Sequence, residues 1–401
     1  MKDFLTLAQN LHLLAVFQKL YDNELFEAFL AMLDAFNENR LHFPVMAARF
    51  CGKLYEQDCE DWGEYLKEQV LGLDTCLSRL AAKEHELPER MVNTAMEELS
   101  ALATAASVSS FDLGLPARQG WIGANVDLQA EYLNCLMEID VRGTGIFAKG
   151  SMFRLKAGPN VELVPVVHPD PVTFKNLYGY EDQHRQMIAN TRALLKGLPA
   201  GNLLLYGDAG TGKSASIKAL ENKFKDQGLR LIEVSKERLE VLPELLDELA
   251  REPLKFIVYI DDLSFAENDD SFSALKAVLE GSVSARSENT VIYATSNRRH
   301  LVKESMEARS GDDLHRRDTL QETLSLSQCF GQCLFFEKPS AAEFLELVHK
   351  IGREYGLQLD SVEMDRQAEA YALRQGGRSA RCARQFAENE AAKKGIQNDL
   401  S

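Results

Sequence analysis

The sequence lacks three things: an apolar run approaching bilayer length, a C-x-x-C pair, and any excess of basic residues. Each lack removes a class of protein. A membrane-spanning helix needs about 20 mostly apolar residues in succession, and no stretch of this 401-residue chain comes near that. The seven cysteines, Cys51, Cys59, Cys76, Cys135, Cys329, Cys333 and Cys382, are odd in number and scattered. They indicate neither a disulfide framework nor a zinc site, and a reduced, cytoplasmic setting is expected. Lys and Arg number 45 against 61 Asp and Glu, a net charge of −16. That balance disfavours broad, sequence-independent nucleic-acid binding, which draws on an excess of Lys and Arg, although a local basic patch stays compatible with it. At the N-terminus the apolar Leu11 to Phe17 gives way to Lys19 and Asp22 without a small-residue cleavage site, so no signal peptide is expected.

What is present is a chain long enough for two or three domains. Residues 1–112 show no strand-like alternation. Segments such as Glu24–Phe36, Val45–Tyr55 and Met91–Ala105 carry apolar residues at three- and four-residue spacing, which predicts an all-helical N-terminal domain suited to contacting a partner. Between 113 and 170, Gly120, Gly123, Gly143, Gly145, Gly150, Gly158 and Pro159 punctuate short runs. We read this as a linker with a small β-hairpin in 143–167, closed by His168-Pro169-Asp170-Pro171. From 171 to 338 apolar, β-branched runs (Leu229–Val234, Phe256–Ile260, Val291–Ser296, Cys333–Phe336) alternate with helical stretches. That alternation predicts an α/β domain with a parallel sheet and ligands at the strands' carboxyl ends. Residues 339–401 open on the capping box Ser340-Ala341-Ala342-Glu343 and read as a helical lid.

One segment has direct chemical meaning. Gly207-Asp208-Ala209-Gly210-Thr211-Gly212-Lys213-Ser214, with Ala215 following, fits G-x-x-x-x-G-K-[ST]. Glycines let backbone N–H groups close around phosphate oxygens, Lys213 adds a point charge, and the Ser214 hydroxyl can ligate Mg²⁺. The apolar run Asn202–Tyr206 precedes it, and Ile217, Leu220 and Phe224 follow at helical spacing up to Gly228. Strand, glycine loop, helix is the arrangement that aims a helix N-terminus at an anion.

Further along, the apolar Phe256–Ile260 ends in Asp261-Asp262. A strand ending in two acids can deliver Asp261 to a metal and Asp262 to an attacking water. The next strand ends Ala294-Thr295-Ser296-Asn297, where an amide beside the loop can sense a γ-phosphate. Arg298-Arg299-His300 suit a solvated turn, a phosphate contact or a subunit boundary equally. In the lid, Arg378, Arg381 and Arg384 follow Gly376-Gly377 at a three-residue period. They suit a basic helix face as well as a lid that closes on nucleotide.

Together these blocks resemble an AAA+ ATPase. The wording is similar to one bacterial AAA+ group of ATP-binding proteins of unknown function. The phrases that carry the likeness are Gly179-Tyr180-Glu181-Asp182-Gln183, Ile260-Asp261-Asp262-Leu263-Ser264-Phe265, Leu275-Lys276-Ala277-Val278-Leu279-Glu280-Gly281, Ala294-Thr295-Ser296-Asn297-Arg298-Arg299-His300-Leu301 and Arg378-Ser379-Ala380-Arg381. The resemblance implies a five-stranded parallel sheet of AAA+ order with helices on both faces. It makes Lys213, Asp262 and Asn297 the catalytic group, Ser214 and Asp261 the metal residues, and Arg381 the second sensor with Arg378 as runner-up. Tyr178, Gly179 and Tyr180 would lie near adenine. An Asp rather than Glu at 262 is similar to the replication-initiator and helicase-loader branch. One departure stands out: in Gln328-Cys329-Phe330-Gly331, Cys329 occupies the place of the family's arginine finger. Arg298, Arg299, Arg316 and Arg317 are candidate substitutes.

The implied activity is binding of Mg-ATP and its hydrolysis to ADP and phosphate, driving a conformational change on a protein partner held by the N-terminal domain. A homo-oligomer is compatible with this, and slow turnover follows if nothing replaces the finger. Two alternatives stay open: a nucleotide-gated switch with little turnover, and a helicase-loader-like ATPase on DNA.

Overall fold

The computed structural model describes residues 3–83, 86–116, 120–156, 158, 160–263, 275–279, 288–297, 330–357 and 362–399. It divides into two compact units, Met1–Lys149 and Gly150–Ser401.

The first unit is helical. Its longer helices are Glu24–Glu38, Phe43–Glu56, Trp62–Leu71, Glu89–Ala106 and Leu128–Met137, and the first, third and fifth of these begin at side-chain caps. Asn23 accepts from the N–H groups of Leu25 and Phe26, and Asp127 from Ala130. Apolar faces converge on a stacked pair, Phe29 and Trp62, with ring centroids 4.5 Å apart, while the Trp62 indole donates to the Ala105 carbonyl. The Glu98 carboxylate is itself buried and accepts from the backbone N–H groups of Ala15, Val16 and Phe17. Residues 113–149, read from sequence as part of a linker, lie in this unit. One glycine there is closely packed: a Cβ on Gly123 would meet the Ser107 carbonyl oxygen at 2.6 Å.

The second unit is built on a sheet of β1 (Met152–Leu155), β2 (Leu163–Pro165), β3 (Leu203–Gly207), β4 (Leu229–Val234), β5 (Lys255–Ile260), β6 (Thr290–Ser296) and β7 (Gln332–Phe336). The strand order is β2-β1-β4-β5-β6-β3-β7, and every pair except β1–β2 is parallel. The five strands β3–β7 thus have the AAA+ order, with the strand before the phosphate loop between the fourth and fifth. Strands buried on both faces, as in β5, explain the continuous apolar runs. The expected five strands are seven here. The hairpin β1–β2, assigned to a linker, pairs through Met152–Arg154 with Leu231–Glu233 of β4 and covers what would be an open edge.

Helices Ala341–Glu354, Val362–Arg374 and Ala380–Asp399 form the lid. They share a core of Phe344, Val348, Ile351, Ala383 and Phe386, and Tyr178 packs against it. Among the described residues no helix is long and apolar enough to cross a membrane.

Candidate functional site

Sheet register brings the site together. Tyr206 of β3 pairs with Ser296 of β6, and Ala294 of β6 pairs with Ile260 of β5. Gly207 at the end of β3, and Asn297 and Asp261 just past the ends of β6 and β5, therefore emerge side by side. Leu263 N–H donates to the Thr295 carbonyl at 2.7 Å, which ties the acidic turn to β6.

The phosphate loop needs its glycines. Gly207, Gly210 and Gly212 have φ of +137°, +78° and +95°, a region costly for residues with a Cβ. A Cβ on Gly207 would also collide with the Phe336 carbonyl of β7. Gly212 then opens the helix Lys213–Phe224, so the first-turn N–H groups face the loop. Lys213 is only 5% exposed. Its Nζ donates to the Gly207 and Asp208 carbonyls at 3.1 and 2.7 Å. Burial lowers its pKa, while Asp208, Asp262 and Asp261 push the other way.

Across the mouth of the loop runs a chain of hydrogen bonds. Ser214 Oγ donates to Asp261 Oδ1 at 2.8 Å, and Thr295 Oγ1 donates to the same oxygen at 2.6 Å. Asp262 N–H donates to Thr295 Oγ1 at 2.9 Å, and Asn297 Nδ2 donates to Asp262 Oδ1 at 2.7 Å. Desolvation raises the Asp261 pKa, but hydrogen bonding led by Thr295 outweighs it and holds the carboxyl below its ordinary value. Asp262 has a φ of +49°, an unusual backbone for a residue with a Cβ. Strain of this kind persists where neighbours over-determine it, and here the Thr295 and Asn297 contacts do so.

These groups face a cavity of about 760 Å³. Ala209, Gly210, Thr211, Gly212, Lys213, Ser214, Ala215, Asp261, Asp262, Asn297, Tyr178, Tyr180 and Arg381 all line it. The lid closes one side: Arg381 N–H donates to the Gly210 carbonyl at 3.2 Å, and a Cβ on Gly210 would meet Ser379 Oγ at 2.9 Å. Donor chemistry fits a magnesium nucleotide. The loop offers backbone N–H groups at a helix N-terminus and a buried cation for phosphate, and Ser214 and Asp261 supply hard oxygen donors.

Other expected residues stand elsewhere. Gly207 and Asp208 back the loop against β7, where Asp208 N–H donates to the Phe336 carbonyl at 3.2 Å. Gly179 lines a neighbouring cavity of about 1040 Å³ instead. The runner-up sensor Arg378 is held by Glu369 through its Nε at 2.9–3.0 Å and does not line the site; ion pairing inside the lid has claimed it. Arg298, Arg299, His300, Arg316, Arg317, Gln328 and Cys329 lie outside the described residues.

Among the lining residues to which sequence reasoning gave no role are Thr295 and His184, while Arg384, noted there only as one of three periodic arginines, also lines the cavity. Thr295 lay inside a quoted phrase, yet its bridging role needs the β5–β6 register. His184 follows Tyr180 by one helical turn. Its Nε2 is 2.9 Å from Ser216 Oγ, which in turn donates to the Gly212 carbonyl, so the neutral ring donates from Nε2. Burial drives its pKa down to about 4. Arg384, one turn past Arg381, donates to the Asn176 carbonyl at 3.2 Å.

A 62-residue stretch, 15% of this chain, is 39% identical to the ORC1-type DNA replication protein 14 of Haloarcula marismortui. The chain spans only 14% of that relative. Among solved structures, the Holliday junction branch migration motor RuvB of Thermotoga maritima is 14% identical with a TM-score of 0.35, over 54% of this chain and 63% of that one. The Aeropyrum pernix ORC1 protein in complex with DNA is 16% identical with a TM-score of 0.38, over 55% and 62%. The replication initiator DnaA bound to AMPPCP and single-stranded DNA is 16% identical with a TM-score of 0.38, over 58% and 69%. The chain thus spans less than two thirds of the RuvB and ORC1 chains, and its fold is read from its own strand order. The expectation against nucleic acid finds no support in these names. The model of one family, described as "Protein of unknown function (DUF815)", matches residues 148–394. On a match over more than half its length, the chain belongs to that family.

Proposed function

We propose that the second unit binds Mg-ATP and hydrolyses it to ADP and phosphate, coupling the reaction to movement of the lid. The observation that supports this best is the hydrogen-bonded chain Ser214–Asp261–Thr295–Asp262–Asn297 laid across the mouth of the phosphate loop. Magnesium would supply charge neutralisation across the β- and γ-phosphates, with Ser214 and Asp261 as the chain's residues toward it. Lys213 exchanges its loop carbonyls for phosphate oxygens. Asp262, steadied by Asn297, accepts a proton from water in line with the γ-phosphorus. Arg381 stands on the lid beside Gly210 and senses the phosphates as the lid closes. Tyr178 and Tyr180 border the cavity on the side we assign to adenine. The helical first unit is the part we assign to a protein partner.

Steady-state phosphate release and binding of a fluorescent ATP analogue test the reading, with Lys213→Ala as control. Wild-type protein should bind and turn over ATP, and the variant should lose both. Absence of nucleotide binding by the wild type sinks the reading. A second reading, a nucleotide-gated switch with little turnover, is favoured by Cys329 at the finger position, since an arginine there contributes about three to five orders of magnitude in rate. Tight binding with negligible phosphate release would select it. The match to an ORC1-type DNA replication protein favours a DNA-associated role, for which salt-sensitive DNA binding is the measurement.

A further inference from the structure

Directly beneath the metal-associated acid lies a tyrosine that no part of the proposed chemistry uses. Tyr259 is the penultimate residue of β5, and Asp261 follows it by two, so both project from the same face of the sheet. That face packs on the phosphate-loop helix, and Tyr259 shares its core with Ile217 and Leu220. The side chain is fully buried. Its hydroxyl oxygen has no hydrogen-bond partner of ordinary geometry among the described residues. Burial, followed by the nearby Asp261 carboxylate, raises its pKa, and the Ser214 hydroxyl also stands close enough to act on it. A buried phenol without a partner is destabilising, and phenylalanine would fill the same space without that cost.

We propose that Tyr259 is a positioning residue of the magnesium site, its O–H being aimed at the Asp261 carboxylate to fix that group for the metal. Ser214 and Thr295 both donate to Oδ1 of Asp261, so two donors already crowd one oxygen, and the hydroxyl below is left to fix the rotation of the carboxylate plane once Asp261 turns toward the cation. The orphan hydroxyl is a cost borne by the metal-free protein and recovered when Asp261 is drawn toward the cation. Outer donors of this kind change metal affinity by about 10- to 100-fold.

This inference rests on the nucleotide-binding reading, and its test separates the two. Binding of a fluorescent, non-hydrolysable ATP analogue is titrated against Mg²⁺ for wild type and Tyr259→Phe, and melting of each is measured without metal or nucleotide. The expected result has opposite signs. The variant is at least as stable as wild type in the metal-free state, and its half-maximal Mg²⁺ concentration rises about tenfold, with metal-free analogue affinity unchanged. An unchanged Mg²⁺ midpoint overturns the proposal, as does equal loss of metal-free and metal-bound affinity. A variant that melts earlier or fails to fold also overturns it, because the hydroxyl is then structural. Wild type that binds no analogue at any Mg²⁺ concentration overturns the nucleotide reading itself, and this proposal with it.

Discussion

The Asn297 amide donates to the Asp262 carboxylate at 2.7 Å, joining the tips of two adjacent strands at the mouth of the phosphate loop. A carboxylate held this way keeps one oxygen occupied and leaves the other for water. Asn297→Ala should therefore lower phosphate release at saturating ATP by about 10²-fold, with little change in nucleotide affinity. Single-turnover kinetics beside equilibrium binding make the check. A loss of affinity equal to the loss of rate would mean that Asn297 holds nucleotide rather than the base.

Cys329 gives a prediction about assembly. If neighbouring subunits share sites, Cys329→Arg should raise turnover, and the gain should grow with protein concentration. Phosphate release over a dilution series reads this out. Unchanged turnover in a demonstrated oligomer counts against that position as a finger.

Gly207 combines a positive φ with a carbonyl of β7 in the way of any Cβ. Gly207→Ala should destabilise the second unit by about 3 kcal/mol or more and separate β3 from β7. Hydrogen exchange at the Phe336 and Asp208 amides should accelerate, whereas an unperturbed exchange pattern would show that the loop adapts.

His184 makes the second unit acid-sensitive. Its folded pKa, lowered to about 4 by burial with Glu181 pushing back, sits below the ordinary 6.5. Between those values the unfolded chain binds the extra proton. The stabilisation is therefore complete above about pH 6.5 and is lost as pH falls toward 4, by about 3 kcal/mol over the whole window. His184→Gln should flatten this dependence. Tyrosine circular dichroism follows it, because both tryptophans of the chain, Trp62 and Trp121, lie in the other unit.

Those tryptophans serve the helical unit in turn. Glu98→Ala leaves the N–H groups of residues 15–17 without their carboxylate and should cost about 3 kcal/mol, with Glu98→Gln in between. Urea unfolding followed by tryptophan fluorescence measures the series. Equal stability of all three proteins would mean that water replaces the carboxylate.

What the sequence settled by itself was local. Eight consecutive residues specify the phosphate loop because their backbone conformations and the lysine's reach lie within one strand–turn–helix unit. The continuous apolar runs settled β3–β7, and the periodicity of three and four settled the helices, because burial on one face or two imprints its own spacing. What only tertiary structure decided depends on which strands become neighbours. Thr295 bridges Asp261 and Asp262, 34 and 33 positions away, solely through the β5–β6 register. Tyr259 lies beneath Asp261 because a β-strand repeats its facing every two residues and the phosphate-loop helix covers that face. Arg378 and Arg381 look alike in sequence, and the packing of the lid gave the side chain of the first to Glu369 and left the second lining the cavity at the phosphate loop. Likewise β1 and β2 read as a linker hairpin, since the strand edge they cover belongs to β4, whose Leu231 pairs with Met152, 79 residues earlier. Pairing across such distances leaves no pattern in either segment alone.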